Sequence, residues 1–160
     1  MIVLGIDPGS IKTGFGVVSV EKRRMVPVEF GVIRTKPGEE MPARLCRIFE
    51  GIVDVIDRHK PGEAAIEKVF HGTRAQNFDS TLKLGQARGV ALLALARAGI
   101  PLGEYAPADV KKSITGTGRA EKWQMQKMME TLLHLDKAPA EDAADALALA
   151  LCHAFRKGLI

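Results

Sequence analysis

The chain has 160 residues, with 46% hydrophobic and 26% charged side chains and a formal net charge of +4. That length suits one domain over residues 1–160 with a core of its own, and the composition excludes a disordered or fibrous protein. The excess of Lys and Arg fits a polyanionic partner without requiring one. No apolar run approaches the ~20 residues that span a bilayer, and no basic leader precedes the first apolar stretch, so a soluble, unprocessed chain with no membrane partner is expected. Cys46 and Cys152 are the only two cysteines and lie far apart. They make neither a disulfide framework nor a zinc motif, which leads us to expect a cytoplasmic protein.

Residues 2–7 form a short, nearly continuous apolar run ending in Asp7-Pro8-Gly9, the pattern of a strand covered on both faces. Strands are expected next at 13–20 and 30–34, joined by short polar connections that suit antiparallel hairpins. Between 42 and 60 the period becomes helical, because Leu45, Ile48, Phe49, Ile52 and Ile56 recur on one face, and Pro61-Gly62 ends the run. A fourth strand is read at 64–70, a polar loop at 71–79, a helix at 80–98 and a fifth strand at 102–106. Helices follow at 107–114, 120–133 and 141–156, with Thr115-Gly116-Thr117-Gly118 as a break. Residues 146–151 alternate Ala and Leu as a strand would, yet their alanine content and length favour a helix. The order βββαβαβ followed by helices is that of an α/β fold, a sheet with helices packed on it.

Four carboxylates stand out by position. Asp7 ends the first strand, Glu67 lies within an otherwise apolar strand, and Asp142 and Asp145 sit three apart near a helix start, on one face. Each has an ordinary explanation. Asp7 suits the turn it opens, Glu67 an edge strand facing solvent, Asp142 the positive end of a helix, and Asp145 a solvated surface. Brought together, the four would place several negative charges in one cleft and call for a cation. The hard oxygen donors in these motifs favour magnesium or manganese over zinc. Two such ions can activate a water and polarise a phosphodiester. The glycines after Asp7 (Gly9, Gly14 and Gly16) also suit a phosphate cradle of the kind used by actin-like sugar kinases. Such kinases need a second, duplicated domain that 160 residues cannot supply.

Four blocks carry a family likeness. Leu4-Gly5-Ile6-Asp7-Pro8-Gly9-Ser10 with Thr13-Gly14-Phe15-Gly16 comes first, followed by Ala65-Ile66-Glu67-Lys68-Val69-Phe70. Leu82-Lys83-Leu84-Gly85-Gln86-Ala87-Arg88-Gly89 and Asp142-Ala143-Ala144-Asp145-Ala146-Leu147-Ala148 complete the set. In this order, over nearly the whole chain, the blocks resemble the RuvC family of Holliday-junction resolvases. The resemblance implies a ribonuclease-H-like fold with a five-stranded mixed sheet flanked by helices. It also implies a homodimer and Mg²⁺-dependent nicking (two ions per subunit) of symmetry-related strands in four-way junction DNA, during recombination and repair. A branch-migration motor is the implied partner. Asp7, Glu67, Asp142 and Asp145 match the family's catalytic acids, Phe70 its junction-stacking aromatic, and Lys111 and Lys122 its backbone-contacting cations.

Lys112 and Arg119 flank the same Gly-rich break and are expected to help neutralise phosphates. The stretch 71–78 is a few residues longer than the family spacing, and the chain stops soon after the last helix, without a basic tail. Read without the family, Phe70 suits a core strand as well as a base-stacking platform. Gly85 and Gly89, one helical turn apart, suit either packing on the sheet or a dimer seam. Two other functional classes fit less well: a non-catalytic junction-binding module, and a related nuclease that processes ribosomal RNA.

Overall fold

A computed structural model describes residues 1–22, 24–68 and 78–160. Phe70 and the stretch 71–77 lie outside the described residues. Among those described are five strands and five helices. They are β1 (Ile2–Asp7), β2 (Lys12–Glu21), β3 (Arg24–Arg34), α1 (Met41–His59), β4 (Glu63–Glu67), α2 (Phe78–Arg97), β5 (Leu102–Tyr105), α3 (Pro107–Thr115), α4 (Lys122–Leu132) and α5 (Glu141–Arg156).

The strands form one mixed sheet in the order β3-β2-β1-β4-β5. β1, β2 and β3 pair antiparallel through two hairpins, whereas β4 runs parallel to β1 and β5 parallel to β4. Parallel neighbours need crossover connections, and α1 and α2 lie in those crossovers. The expected mixed sheet flanked by helices is therefore what the chain forms.

Several boundaries differ from expectation. β3 begins at Arg24 rather than residue 30 and carries Pro27. Pro27 opposes Val18 and Glu29 opposes Val17, so the register slips by one residue at a bulge. Proline lacks the N–H that a central strand would use, and an edge strand with a bulge accommodates it. α1 ends where Lys60 turns left-handed, at φ 46°, and Pro61 follows. α2 begins at Phe78, inside the stretch read as loop. The Ala/Leu segment of α5 is helical, with eleven buried residues. Alternation gives way there because the helix is covered almost all round.

Strand side chains alternate between faces and cross-strand partners share one. On one face, Leu4, Ile6, Phe15, Val17 and Ile66 pack against Ile48, Ile52, Val55 and Ile56 of α1 and the alanines of α2. On the other, Val3, Val18 and Ala65 meet α3, α4 and α5. α5 comes closest to the sheet because the strands beneath it present glycine. A Cβ at Gly5 would lie 1.9 Å from the Ala146 carbonyl oxygen, one at Gly14 2.0 Å from that of Asp142, and one at Gly16 2.7 Å from the Leu147 nitrogen. The far end of α5 is held by His153, fully buried. Its Nδ1 is hydrogen-bonded with the Tyr105 hydroxyl at 2.8 Å and its Nε2 with the Glu63 carboxylate at 3.0 Å.

Candidate active site

Alternation along β1 sends Val3, Gly5 and Asp7 to the α5 face, and along β4 it sends Ala65 and Glu67 there. Gly14, the cross-strand partner of Asp7, seats the first turn of α5 with almost no gap, which brings that turn over the strand ends. Asp145 lies one turn into α5. The outcome is a cleft of about 200 Å³ into which Asp7, Glu67 and Asp145 converge from three elements. β4 lies between β1 and β5, so Glu67 is not a solvated edge residue.

Pro107 and Val110 of α3, Met125 of α4 and Leu149 of α5 form the apolar wall, and Lys111 and Lys122 reach the same cleft. Asp142 is half-buried on the first turn of α5. It does not line the cleft, yet its charge acts on both Asp7 and Asp145. Lys112 and Arg119 stand exposed outside the lining.

The acids are electrostatically frustrated. Asp7 is pushed up to about 8, by burial first and then by the charges of Asp145, Glu67 and Asp142, with Lys122 pulling weakly the other way. Asp145 is raised to about 6, by burial and then by Glu141, against Lys122 and Lys111. Glu67 is raised by burial and by Asp145, with Lys111 opposing. Among the described residues, two lysines therefore leave the negative charge undercompensated. Lys122 is itself held protonated by Glu141, its ion-pair partner across the α4–α5 junction.

Glu141 and the apolar wall are the parts that residue-by-residue reading missed. Glu141 had a signal, since it stands four residues before Asp145 and so shares its face. The wall had none, because its members come from three helices whose packing only the fold reveals.

Among the described residues, no three His, Cys, Asp or Glu side chains are arranged so that they could already hold an ion. The acids lie within electrostatic reach of one another but not in a ligating cage. Like charges in a poorly hydrated pocket favour standing apart or retaining a proton, and a divalent cation removes both preferences. Its donors would be carboxylate oxygens only, among the described lining residues, which fits magnesium or manganese and not zinc. The glycines once open to reading as a phosphate cradle are otherwise employed. Gly14 and Gly16 seat a helix, and an added Cβ at Gly9 would meet the Lys12 carbonyl oxygen at 2.3 Å, inside its own turn.

Residues 3–153 match the family model described as crossover junction endodeoxyribonuclease RuvC. The crossover junction endodeoxyribonuclease RuvC of Saccharophagus degradans is 54% identical over 95% of this chain and 86% of its own length. Its counterpart in Citrifermentans bemidjiense is 47% identical over 99% of this chain and 95% of its own. Among solved structures, Thermus thermophilus RuvC in complex with a Holliday junction substrate superposes with a TM-score of 0.88 at 37% identity, covering 98% of this chain and 94% of that one. The yeast mitochondrial Holliday junction resolvase Ydc2, at 13% identity and a TM-score of 0.68, covers 98% of this chain and 79% of its own and shares the fold.

Proposed function

The chain belongs to the RuvC family of crossover junction endodeoxyribonucleases, and on that premise we propose that it resolves four-way DNA junctions as a homodimer, nicking two symmetry-related strands by Mg²⁺-dependent phosphodiester hydrolysis. It is a hydrolase of the endonuclease class with the ribonuclease-H-like fold of its structural neighbours.

One observation carries the mechanism. Three half-buried carboxylates from β1, β4 and α5 face one cleft with more negative charge than two lysines offset. Asp7, Glu67 and Asp145 would hold the metal, with Asp142 as a further ligand or as the group that orients water. Asp7 is the carboxylate best suited to be shared, because all three other acids act on it. Two bound Mg²⁺ ions would supply a more acidic water and neutralise charge on the phosphate. Lys111 and Lys122, on the cleft wall, draw the phosphodiester in. Lys112 and Arg119, outside it, extend the cationic track along the backbone. The apolar wall of Val110, Met125 and Leu149 excludes bulk water and strengthens every charge interaction inside.

Pairing of cuts needs two such clefts related by a two-fold axis. Phe78 and Leu82 are 81% and 51% exposed on α2. Among the described residues, a Cβ at Gly85 or Gly89 would meet nothing within 4 Å, so these glycines do not pack on the sheet. Positions 78, 82, 85 and 89 follow helical spacing, which supports a helix-to-helix seam with a second copy. The family likeness extends the proposal to a branch-migration motor acting on the same DNA. Among the described residues, no helix is long and apolar enough to cross a membrane.

The test is nicking of a synthetic mobile four-way junction, mapped to the nucleotide, with Mg²⁺, with Mn²⁺ and with EDTA. Paired, symmetry-related nicks that EDTA abolishes and Mn²⁺ restores are expected. Junction binding without product under any condition, or faster cleavage of structured RNA, would overturn the proposal.

A further inference from the structure

The only tryptophan in the chain, Trp123, is 66% exposed on the first turn of α4. The core does not need it. Met125 and Met129 take the inward face of α4, 2% and 0% exposed. Its location in the chain is informative, because the preceding residue, Lys122, lines the acid cleft. Trp123 is therefore the next residue along α4 from one that lines the cleft. Its polar surroundings are also distinctive. Lys127 follows four residues later on the same helical face, and exposed Arg119 precedes the helix. A lone exposed aromatic beside Arg119 and two ion-paired lysines (Lys122 with Glu141, Lys127 with Glu130) does not make the contiguous apolar patch that a protein partner would cover. It does match the chemistry of a single nucleic acid strand, whose phosphates the cations attract and whose bases offer flat faces.

We propose that Trp123 is a DNA-contacting residue that stacks on a nucleobase of the strand entering the acid cleft, at the strand-exchange point where base stacking is interrupted. This rests on the junction-nuclease reading above and adds a contact that the acids and lysines do not provide. Stacking resists salt, whereas phosphate contacts are weakened by it. Trp123 would thus hold the strand in register after the electrostatic encounter.

The sole tryptophan makes its own probe. With a synthetic four-way junction and Ca²⁺ replacing Mg²⁺, we expect its fluorescence to be quenched and shielded from acrylamide in step with binding measured by anisotropy. Trp123→Ala should weaken binding roughly 5- to 100-fold. The slope of log affinity against log salt and the thermal midpoint should not change, and Trp123→Phe should recover much of the loss. If wild type binds and nicks the junction while its fluorescence is unmoved, or if Trp123→Ala binds as tightly, this inference falls and the nuclease reading stands. If wild type neither binds nor nicks, both fall. A fluorescence change that follows protein concentration without DNA would assign Trp123 to a contact between copies and overturn the inference.

Discussion

Asp7 occupies the end of a covered strand with three other carboxylates acting on it, and its replacement isolates charge from shape. Asp7→Asn keeps the volume and removes the anion. Junction binding should persist while nicking slows roughly 10²–10⁴-fold, the loss of several kcal/mol of charge stabilisation. Single-turnover cleavage beside an electrophoretic binding assay would check this, and lost binding with residual cutting would contradict it. The raised acids also make a prediction about pH. A carboxyl held at about 8 in the folded chain, against an ordinary 3.8, binds its proton more tightly folded than unfolded. Its contribution is fully present below pH 3.8 and is lost as pH rises through about 8. In EDTA, wild type should therefore lose stability relative to Asp7→Asn between pH 4 and pH 8, by a few kcal/mol on the order expected for such shifts. Adding Mg²⁺ at pH 8 should raise the melting temperature of wild type and move the variant far less. Denaturation series at several pH values, with and without Mg²⁺, would reveal the sign; a wild type that gains stability relative to Asp7→Asn as pH rises in EDTA would refute it.

At the scale of elements, α5 decides where two of the acids stand. Its backbone lies directly against Gly5, Gly14 and Gly16, so a methyl group there meets main chain that cannot rotate away. Gly14→Ala should cost about 1–3 kcal/mol or more and depress nicking further than that loss of fold explains, because it displaces the turn that leads to Asp145. A urea titration with a nicking assay on the folded fraction separates the two effects; normal activity and stability would disprove the seating role.

These glycines also mark where the sequence was legible and where it was not. β1, α1 and the helical nature of α5 follow from local pattern, and the four acids could be singled out by their odd positions. β3 could not be traced back to Arg24, because Pro27 argues against a strand unless the bulge and the edge are known. Gly14 and Gly16 suited a phosphate cradle, and their seating of a helix had no signal, since a missing side chain does not say what fills its place. Lys111 and Lys122 are told from Lys112 and Arg119 by the family likeness alone, because no local pattern separates them until the helices are packed. Glu67 needed the strand order, as only the sheet reveals that β4 is internal.

For the whole molecule, the exposed α2 stripe and the acid cleft have different requirements. The described lining of the cleft comes from one chain, whereas paired cutting needs two chains in fixed relation. Among the described residues nothing lies within 4 Å of a Cβ at Gly85, and alanine is the better helix former by about 0.8–1 kcal/mol. Gly85→Ala should therefore stabilise the single chain by up to that amount but hold two copies apart. Analytical ultracentrifugation should show weaker self-association, and junction assays should show single nicks gaining over paired ones. An unaltered dimer and unaltered pairing would place the seam elsewhere.

A helix that rests backbone to backbone on a sheet has no rotamers at the contact with which to absorb a small displacement. α5 must travel as one piece or stay where it is, and His153 pins its distal end between Glu63 and Tyr105. Over evolutionary time, sequence drift can therefore reshape the rim, and with it the taste for one branched DNA over another, far more freely than it can respace the carboxylates beneath.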